Sequence, residues 1–325
     1  MKIQVVGAGS WGLAIARLLA RNGHAVRLSC RDEDGPEMLR NERRSPHFLP
    51  GVLLPESIAV ARDVDPASEI AVLAVPSHAM RAVAGALRFS PQTVLVNVAK
   101  GIENDTTLCM HEVIEEVANP CIVITLSGPS HAEEVANDLP ASLVAAGKDS
   151  DACAKVQQAF NAATFRVYTS HDITGVALGG ALKNVIAIAA GVCDGFGLGD
   201  NAKAALITRG LAEMARLGVA LGADPLTFAG LSGMGDLIVT CESRHSRNRS
   251  VGEKIASGMK LEEILASSPM VAEGVRTARA ALALARKNNV DMPITEQVYR
   301  VLYEGADARE AVTALMTRDL KSERG

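Results

Sequence analysis

The chain predicts an α/β fold, an N-terminal doubly wound sheet followed by a mostly α-helical C-terminal domain. Three observations carry this reading. The glycine-rich turn Gly7-Ala8-Gly9-Ser10-Trp11-Gly12 joins a β-branched run to a helical one at the start of the chain. Three continuous apolar runs then recur, each closed by glycine or polar punctuation. Near His171 strand-like runs almost stop, and Ala/Leu/Ile-rich segments take over. An arrangement of this order is of the Rossmann type, with a boundary expected between residues 1–170 and 171–325.

Lys2–Val6 reads as the first strand and Leu13–Ala20 as the helix after it. Strand, G-x-G-x-x-G and helix together form the dinucleotide-binding fingerprint in its required context. Gly7 permits the tight turn, Gly9 admits a pyrophosphate, and Gly12 lets helix and strand pack closely. The helix N-terminus supplies N–H groups for the phosphates. Asn22-Gly23 ends that helix, and His24–Cys30 alternates as a second strand. Arg31-Asp32 follows, about 20 residues past the glycines, where ribose recognition is expected. An acid there accepts from the 2′-hydroxyl of NAD, and an arginine pairs with the 2′-phosphate of NADP. Arg31 predicts use of NADP(H), with NAD(H) tolerated; the plain alternative is a solvated charge.

Residues 31–54 read as a short helix and a loop. Ile70–Val75, Thr93–Val98 and Cys121–Leu126 are the three apolar runs, suited to strands buried on both faces of a parallel sheet. Met80–Leu87 and Thr107–Val117 are the intervening helices. Ligands of such sheets bind beyond the carboxyl ends of the strands, so these punctuated endings fall on one rim. Lys100 is the cation there, or else an ordinary surface lysine. Ser127-Gly128-Pro129-Ser130 presents donors to an anion, or is a plain turn. Ala141–Ala146 and Phe165–Thr169 read as further strands flanking a helix over 151–160.

In the second half, residues 172–192 form an apolar helix in which Gly179, Lys183 and Ala187 share a face, as do Gly180 and Asn184. Burial lowers an amine's pKa and fits a lysine for acid/base work. Small residues one turn away leave space for a ligand; the alternative is a lysine that snorkels to the surface. Glycines cluster over 191–199, ahead of a helix over 202–217. Gly233-Met234-Gly235 brings Asp236 near a ligand, or Asp236 caps a helix. Ser246-Arg247-Asn248 at a helix start suits a phosphate ester, or is a solvated basic loop. Helices over 275–287 and from Pro293 complete the chain.

A net charge of −4 and a single Trp exclude a nucleic-acid reader as the expectation. The six cysteines show no C-x-x-C or zinc spacing, so no metal is expected and the thiols are read as reduced and cytosolic. Lys183, Asn184 and Asp194 interrupt the most apolar stretch and argue against membrane insertion.

The motifs GAGSWG, VPSH, AKG, SGPS, GGALKNVIAIAAG, GMGDLIVTC, SRNR, VAEGVRT and MPITEQVY, in this order, resemble those of the bacterial NAD(P)-dependent glycerol-3-phosphate dehydrogenases along nearly the whole chain. The resemblance implies reversible reduction of dihydroxyacetone phosphate to sn-glycerol 3-phosphate, supplying glycerophospholipid synthesis, in a cytoplasmic homodimer. It implies Lys183 as the acid/base, with Lys100, Asp236 and Thr240 beside it. It implies Ser10, Trp11, Arg31, Lys100, Ala132, Arg247, Val271 and Glu273 at the cofactor. It implies Lys100, Gly128, Ser130, Lys183, Asp236, Ser246, Arg247 and Asn248 at glycerol 3-phosphate. SGPSHAEEV stands where the family usually has SGPTFAEEV: Ser130 keeps the hydroxyl, and His131 replaces an aromatic Phe. The rival expectations are a reductase of phosphate-free hydroxy acids and a non-enzymatic NAD(P) sensor.

Overall fold

The computed structural model describes residues 1–118, 121–266, 272–320 and 322–323. The first half alternates strands and helices: β1 (Lys2–Val6), α1 (Ser10–Arg21), β2 (Ala25–Ser29), α2 (Pro36–Asn41), β3 (Ala59–Ala61) and β4 (Ile70–Leu73). It continues through α3 (Met80–Ala86), β5 (Val94–Asn97), α4 (Met110–Val117), β6 (Ile122–Ser127), α5 (Ala132–Ala136), β7 (Ala141–Ala146), α6 (Ser150–Phe160) and β8 (Phe165–Ser170). These build one eight-stranded sheet in the order β3-β2-β1-β4-β5-β6-β7-β8. Every residue of β4 and β5 is buried, as strands covered on both faces require.

The strand order reverses between β1, whose chain continues toward β2, and β4 on its other side. A crevice opens at the carboxyl ends of the strands at such a switch point. Two features depart from the sequence reading. β7 runs antiparallel to β6, so the sheet is mixed rather than wholly parallel. The three-residue edge strand β3 adds to β2 in a stretch too short for its period to be read.

The second half is helical: α7 (Ile173–Gly195), α8 (Asp200–Ala220), α9 (Pro225–Ala229), a π turn over Leu231–Gly235, α10 (Asp236–Glu242) and α11 (Arg247–Ala256). Then come α12 (Leu261–Ala266), α13 (Glu273–Lys287), α14 (Pro293–Tyr303) and α15 (Ala308–Met316). α7 is the spine of this half, with α8, α10, α11 and α13 packed around it. It is long and apolar enough to cross a membrane, yet 89% of its most apolar window is buried within the fold. It also runs beyond the expected end at residue 192 and into the glycine cluster, to Gly195. Gly191 lies inside it because α11 crosses there: a Cβ on Gly191 would sit 1.9 Å from the Arg249 carbonyl oxygen.

Candidate active site between the sheet and the helical spine

The glycine turn has the geometry that its three separate tasks require. Gly7 has φ +107°, and a Cβ there would meet the Ala74 carbonyl oxygen at 2.5 Å. A Cβ on Gly12 would meet the Gly7 carbonyl oxygen at 2.0 Å. Gly9 faces open space, with nothing within 4 Å of its missing Cβ. No side chain caps the N-terminus of α1, where Ser10 and Trp11 begin the helix. The turn therefore fits a pyrophosphate, which would take the first-turn N–H groups as partners. At the end of β2 the Arg31 side chain is 76% exposed and pairs with Glu33 at 3.0 Å and Asp34 at 3.4 Å.

Lys183 lies on α7 and is only 6% exposed. It does not snorkel. Its Nζ lies 2.8 Å from Asp236 Oδ1 and donates to Thr240 Oγ1 at 2.6 Å. The Thr240 hydroxyl in turn donates to the Asp236 carbonyl one helical turn back, which aims an oxygen lone pair at the amine. Burial draws the Lys183 amine down to about 8; the Asp236 carboxylate opposes this, and the Lys100 charge adds to it. An ammonium has three N–H donors, and two of them are committed here.

Asp236 is a bridge rather than a helix cap. The π turn ends at Gly235 and delivers Asp236 as the first residue of α10, with its carboxylate 2% exposed. Its Oδ2 accepts from Lys100 Nζ at 2.6 Å, so one carboxylate separates two amines. Lys100 comes from the rim beyond β5, where Asn97 holds the turn by bonding Ala99 in both directions. Lys100 also donates to the Gly128 carbonyl at 2.9 Å, which accepts from Ser130 Oγ as well at 2.8 Å. The loop after β6 is thus tied to the lysine, and it leads into α5 at Ala132.

The small residues beside Lys183 are filled by the protein itself, which corrects the expectation of ligand space. A Cβ on Gly179 would meet the Ser232 carbonyl oxygen at 2.6 Å, and one on Gly180 would meet Ser127 Oγ at 2.5 Å. These glycines let the π turn and β6 approach α7, which is how Asp236 and Lys100 reach Lys183.

Ser246 caps α11, its Oγ accepting from the Arg249 N–H at 3.2 Å. Arg247 opens that helix on an exposed side, so the basic segment is an ordered helix start rather than a loose loop. Asn248 is buried and serves the fold: it donates to Asn184 Oδ1 at 2.8 Å and accepts from the Gly274 N–H at 2.9 Å. One of its N–H donors remains for a ligand. Glu273, at the start of α13, accepts from the Ser77 N–H at 3.0 Å and from Ser77 Oγ at 2.5 Å, on the rim beyond β4. Val271 lies outside the described residues.

The structure therefore gathers Lys183, Asp236, Thr240, Lys100, Gly128 and Ser130 into one bonded cluster. Arg31 lies on the β2 rim at the other end of the crevice. Sequence reasoning assigned no task to Ser77, Asn184 or His131. Ser77 sits in one of the punctuated strand endings, which was a usable signal; the partners of Asn184 and His131 had none.

Comparison with known proteins agrees with this geometry. The family model described as the NAD-dependent glycerol-3-phosphate dehydrogenase N-terminus matches residues 2–153, and that for the C-terminus matches residues 172–313. A glycerol-3-phosphate dehydrogenase [NAD(P)+] of Geobacter metallireducens is 52% identical, covering 100% of this chain and 99% of its own. One from Pelotomaculum thermopropionicum is 51% identical over 98% of this chain and 93% of its own. The crystal structure of glycerol-3-phosphate dehydrogenase from Coxiella burnetii superposes with a TM-score of 0.93 at 36% identity, covering 98% of this chain and 99% of that one. With both halves matched, and a crevice that fits a dinucleotide beside a buried lysine, the chain belongs to the NAD-dependent glycerol-3-phosphate dehydrogenase family.

Proposed function

We infer that this chain catalyses the reversible, NAD(P)-dependent reduction of dihydroxyacetone phosphate to sn-glycerol 3-phosphate, with Lys183 as acid/base. The observation that carries the reading is the buried Lys183 amine, drawn to about 8 and held by Asp236 and Thr240 beside the glycine-turn crevice. In the reductive direction, hydride comes to the ketone carbon from the nicotinamide when it is bound. Negative charge then grows on the ketone oxygen, and the third N–H of Lys183 delivers a proton there. In oxidation the neutral amine accepts the hydroxyl proton. Lys100 favours the developing oxyanion, while Asp236 keeps the two amines apart and aimed. Ser246, Arg247 and the remaining N–H of Asn248 hold the phosphate ester, and Gly128 and Ser130 line the substrate's other side. Binding energy from the phosphate orients the reacting carbon.

Gly7, Gly9, Ser10, Trp11 and Gly12 take the cofactor's pyrophosphate side, and Ala132, Arg247 and Glu273 its far side; Val271 is assigned to the cofactor by the family resemblance alone. Arg31 selects NADP(H): its partners leave it water-exposed, and exposed pairs are worth about 0–1 kcal/mol, so a 2′-phosphate replaces them readily. The two-domain division at 1–170 and 171–325 is supported by β8 ending at Ser170 and α7 starting at Ile173. A cytoplasmic homodimer feeding glycerophospholipid synthesis belongs to the same proposal and rests on the family resemblance.

Loss of NADPH absorbance on addition of dihydroxyacetone phosphate is the test. The expected result is turnover with this substrate and little with phosphate-free hydroxy-acid precursors. Lys183→Ala should leave NADPH binding near normal and cut turnover about 10²–10⁴-fold; near-normal turnover overturns the assignment. In the same assay Arg31→Ala should raise the NADPH KM several-fold while sparing that for NADH.

A further inference from the structure

A chain of ion pairs at the corner of α7, α8, α10 and α11 has no part in the lysine cluster. Asp194 lies in the last turn of α7 and Arg249 in the first turn of α11. Arg249 Nε donates to Asp194 Oδ2 at 2.5 Å. That same oxygen accepts from Lys203 Nζ of α8 at 3.1 Å, and Lys203 also donates to Glu242 Oε2 at 3.1 Å. Glu242 is the last residue of α10. Taken alone, each helix disfavours its charge, since an anion is unfavourable at a C-terminus and a cation at an N-terminus. Lys203 is only 8% exposed, and a buried amine is costly without such partners. What these groups hold accounts for their placement. Residues 243–246 join α10, which carries Asp236 and Thr240, to α11. Both feet of this link are tied to Lys203, one through Glu242 and the other through Asp194 and Arg249. The Arg249 N–H also donates to Ser246 Oγ at 3.2 Å, so this arginine bonds the cap residue with its backbone and α7 with its side chain.

We propose that Asp194 is a positioning residue for the substrate phosphate: through Arg249 it holds Ser246 and the first turn of α11 in place relative to Lys183, and Lys203 steadies it. The proposal rests on the phosphate reading of that turn. Lys183 and Asp194 belong to the same helix, so α7 carries both the acid/base and the anchor of the phosphate-binding turn. The backbone crossing at Gly191 brings α7 and α11 into contact, and the ion pairs oppose rotation of α11 about that contact. Arg249 also pairs with Glu253 at 3.0 Å, one turn along its own helix. That pairing stays within α11 and cannot tie it to α7. Asp194 thereby commits the Arg249 guanidinium to the fold, and Arg247 carries the cationic contact with the substrate. Donors fixed before a ligand arrives cost it no ordering free energy, which is what the anchor supplies.

The test uses the full-length enzyme with Asp194→Ala, Arg249→Met, the double variant, Arg247→Ala and Asp307→Ala. Asp307 caps α15, which packs on α14, so its variant lowers the stability of the same domain without touching the clamp. For each, kcat and KM for dihydroxyacetone phosphate are measured, with competitive inhibition by inorganic phosphate, NADPH affinity and the melting temperature. Asp194→Ala should raise KM and the phosphate inhibition constant together by about tenfold, the size of one lost hydrogen bond to a charged group, with kcat within about threefold and a smaller loss of NADPH affinity. Arg249→Met should do the same, and the double variant no more than either, because both residues act through one contact. Asp307→Ala should lower the melting temperature and leave KM as it was. An unchanged KM in Asp194→Ala overturns the proposal, as do additive effects in the double variant. A fall in KM overturns it too, since the freed Arg249 would then be taking the phosphate itself. So does a rise in KM for Asp307→Ala that matches that of Asp194→Ala at equal loss of melting temperature. If Arg247→Ala weakens phosphate inhibition and Asp194→Ala does not, the positioning role falls and the phosphate reading stands. If neither variant weakens it, both fall.

Discussion

At the scale of single residues, the chemistry depends on one carboxylate placed between two amines. Asp236 favours the charged form of Lys183, while burial opposes it more strongly, so the amine titrates near 8. The consequence for activity has a definite sign. Oxidation of glycerol 3-phosphate needs neutral Lys183, so its kcat/KM should rise as pH increases through about 8; ketone reduction needs the proton and should fall over the same interval. Asp236→Asn removes the largest influence that raises this pKa, so the midpoint of both profiles should move to lower pH, with turnover reduced. Stopped-flow rates from pH 6 to pH 9.5 in each direction check it, and a midpoint that stays put would remove Asp236 from the tuning of Lys183. The lysine itself was legible in the sequence, because a charge in an apolar helix is conspicuous. Its environment was not: whether it snorkels or is buried depends on Thr240 and Asp236, 57 and 53 positions further on, and no local pattern reports that.

At the scale of elements, glycines matter here less for their conformational freedom than for what they allow to approach. α7 and α11 cross backbone against side-chain-free backbone: a Cβ on Gly252 would lie 2.0 Å from the Ile188 carbonyl oxygen. That contact sets where α11 begins, and so where Ser246, Arg247 and Asn248 stand relative to Lys183. Overpacking a close crossing costs about 1–3 kcal/mol or more, because backbone cannot swing aside as a side chain can. Gly252→Ala should therefore lower the melting temperature and raise the KM for dihydroxyacetone phosphate together, with a smaller loss of NADPH affinity, because of the cofactor residues only Arg247 moves with α11 and the glycine turn stays in place. Thermal melts and nucleotide titration measure the two effects separately. Most strands and long helices could be read from period and punctuation. β3 and α5 could not, being three and five residues long. The glycines of α7 were read as room for a ligand; the same absence of side chain serves a neighbouring backbone equally well, and sequence does not distinguish the two.

At the scale of the whole molecule, the two domains are joined through the site rather than away from it. Lys100 to Asp236 spans 136 positions and Ser77 to Glu273 spans 196, each linking the sheet rim to the helical domain. Such pairings have no sequence signature, although both partners of the first pair and Glu273 of the second were marked as site residues through family resemblance. Coupling of this kind means that the geometry of the crevice and its stability share the same bonds. Ser77→Ala tests this without touching the lysine cluster. It deletes one of two hydrogen bonds to the Glu273 carboxylate, a loss of about 1.5–3 kcal/mol for a bond to a charged group, less where water replaces it. The domains should then sit less firmly together, so the melting temperature should drop by a few degrees and the KM for NADPH should rise. The pH midpoint near 8 should hold, since Lys183 keeps Asp236, Thr240 and its burial. If melting temperature and NADPH affinity both match the parent enzyme, the Ser77–Glu273 contact carries no joining energy, and the crevice is held by the remaining contacts, among them Lys100–Asp236 and the packing of α7 on β6 and β7.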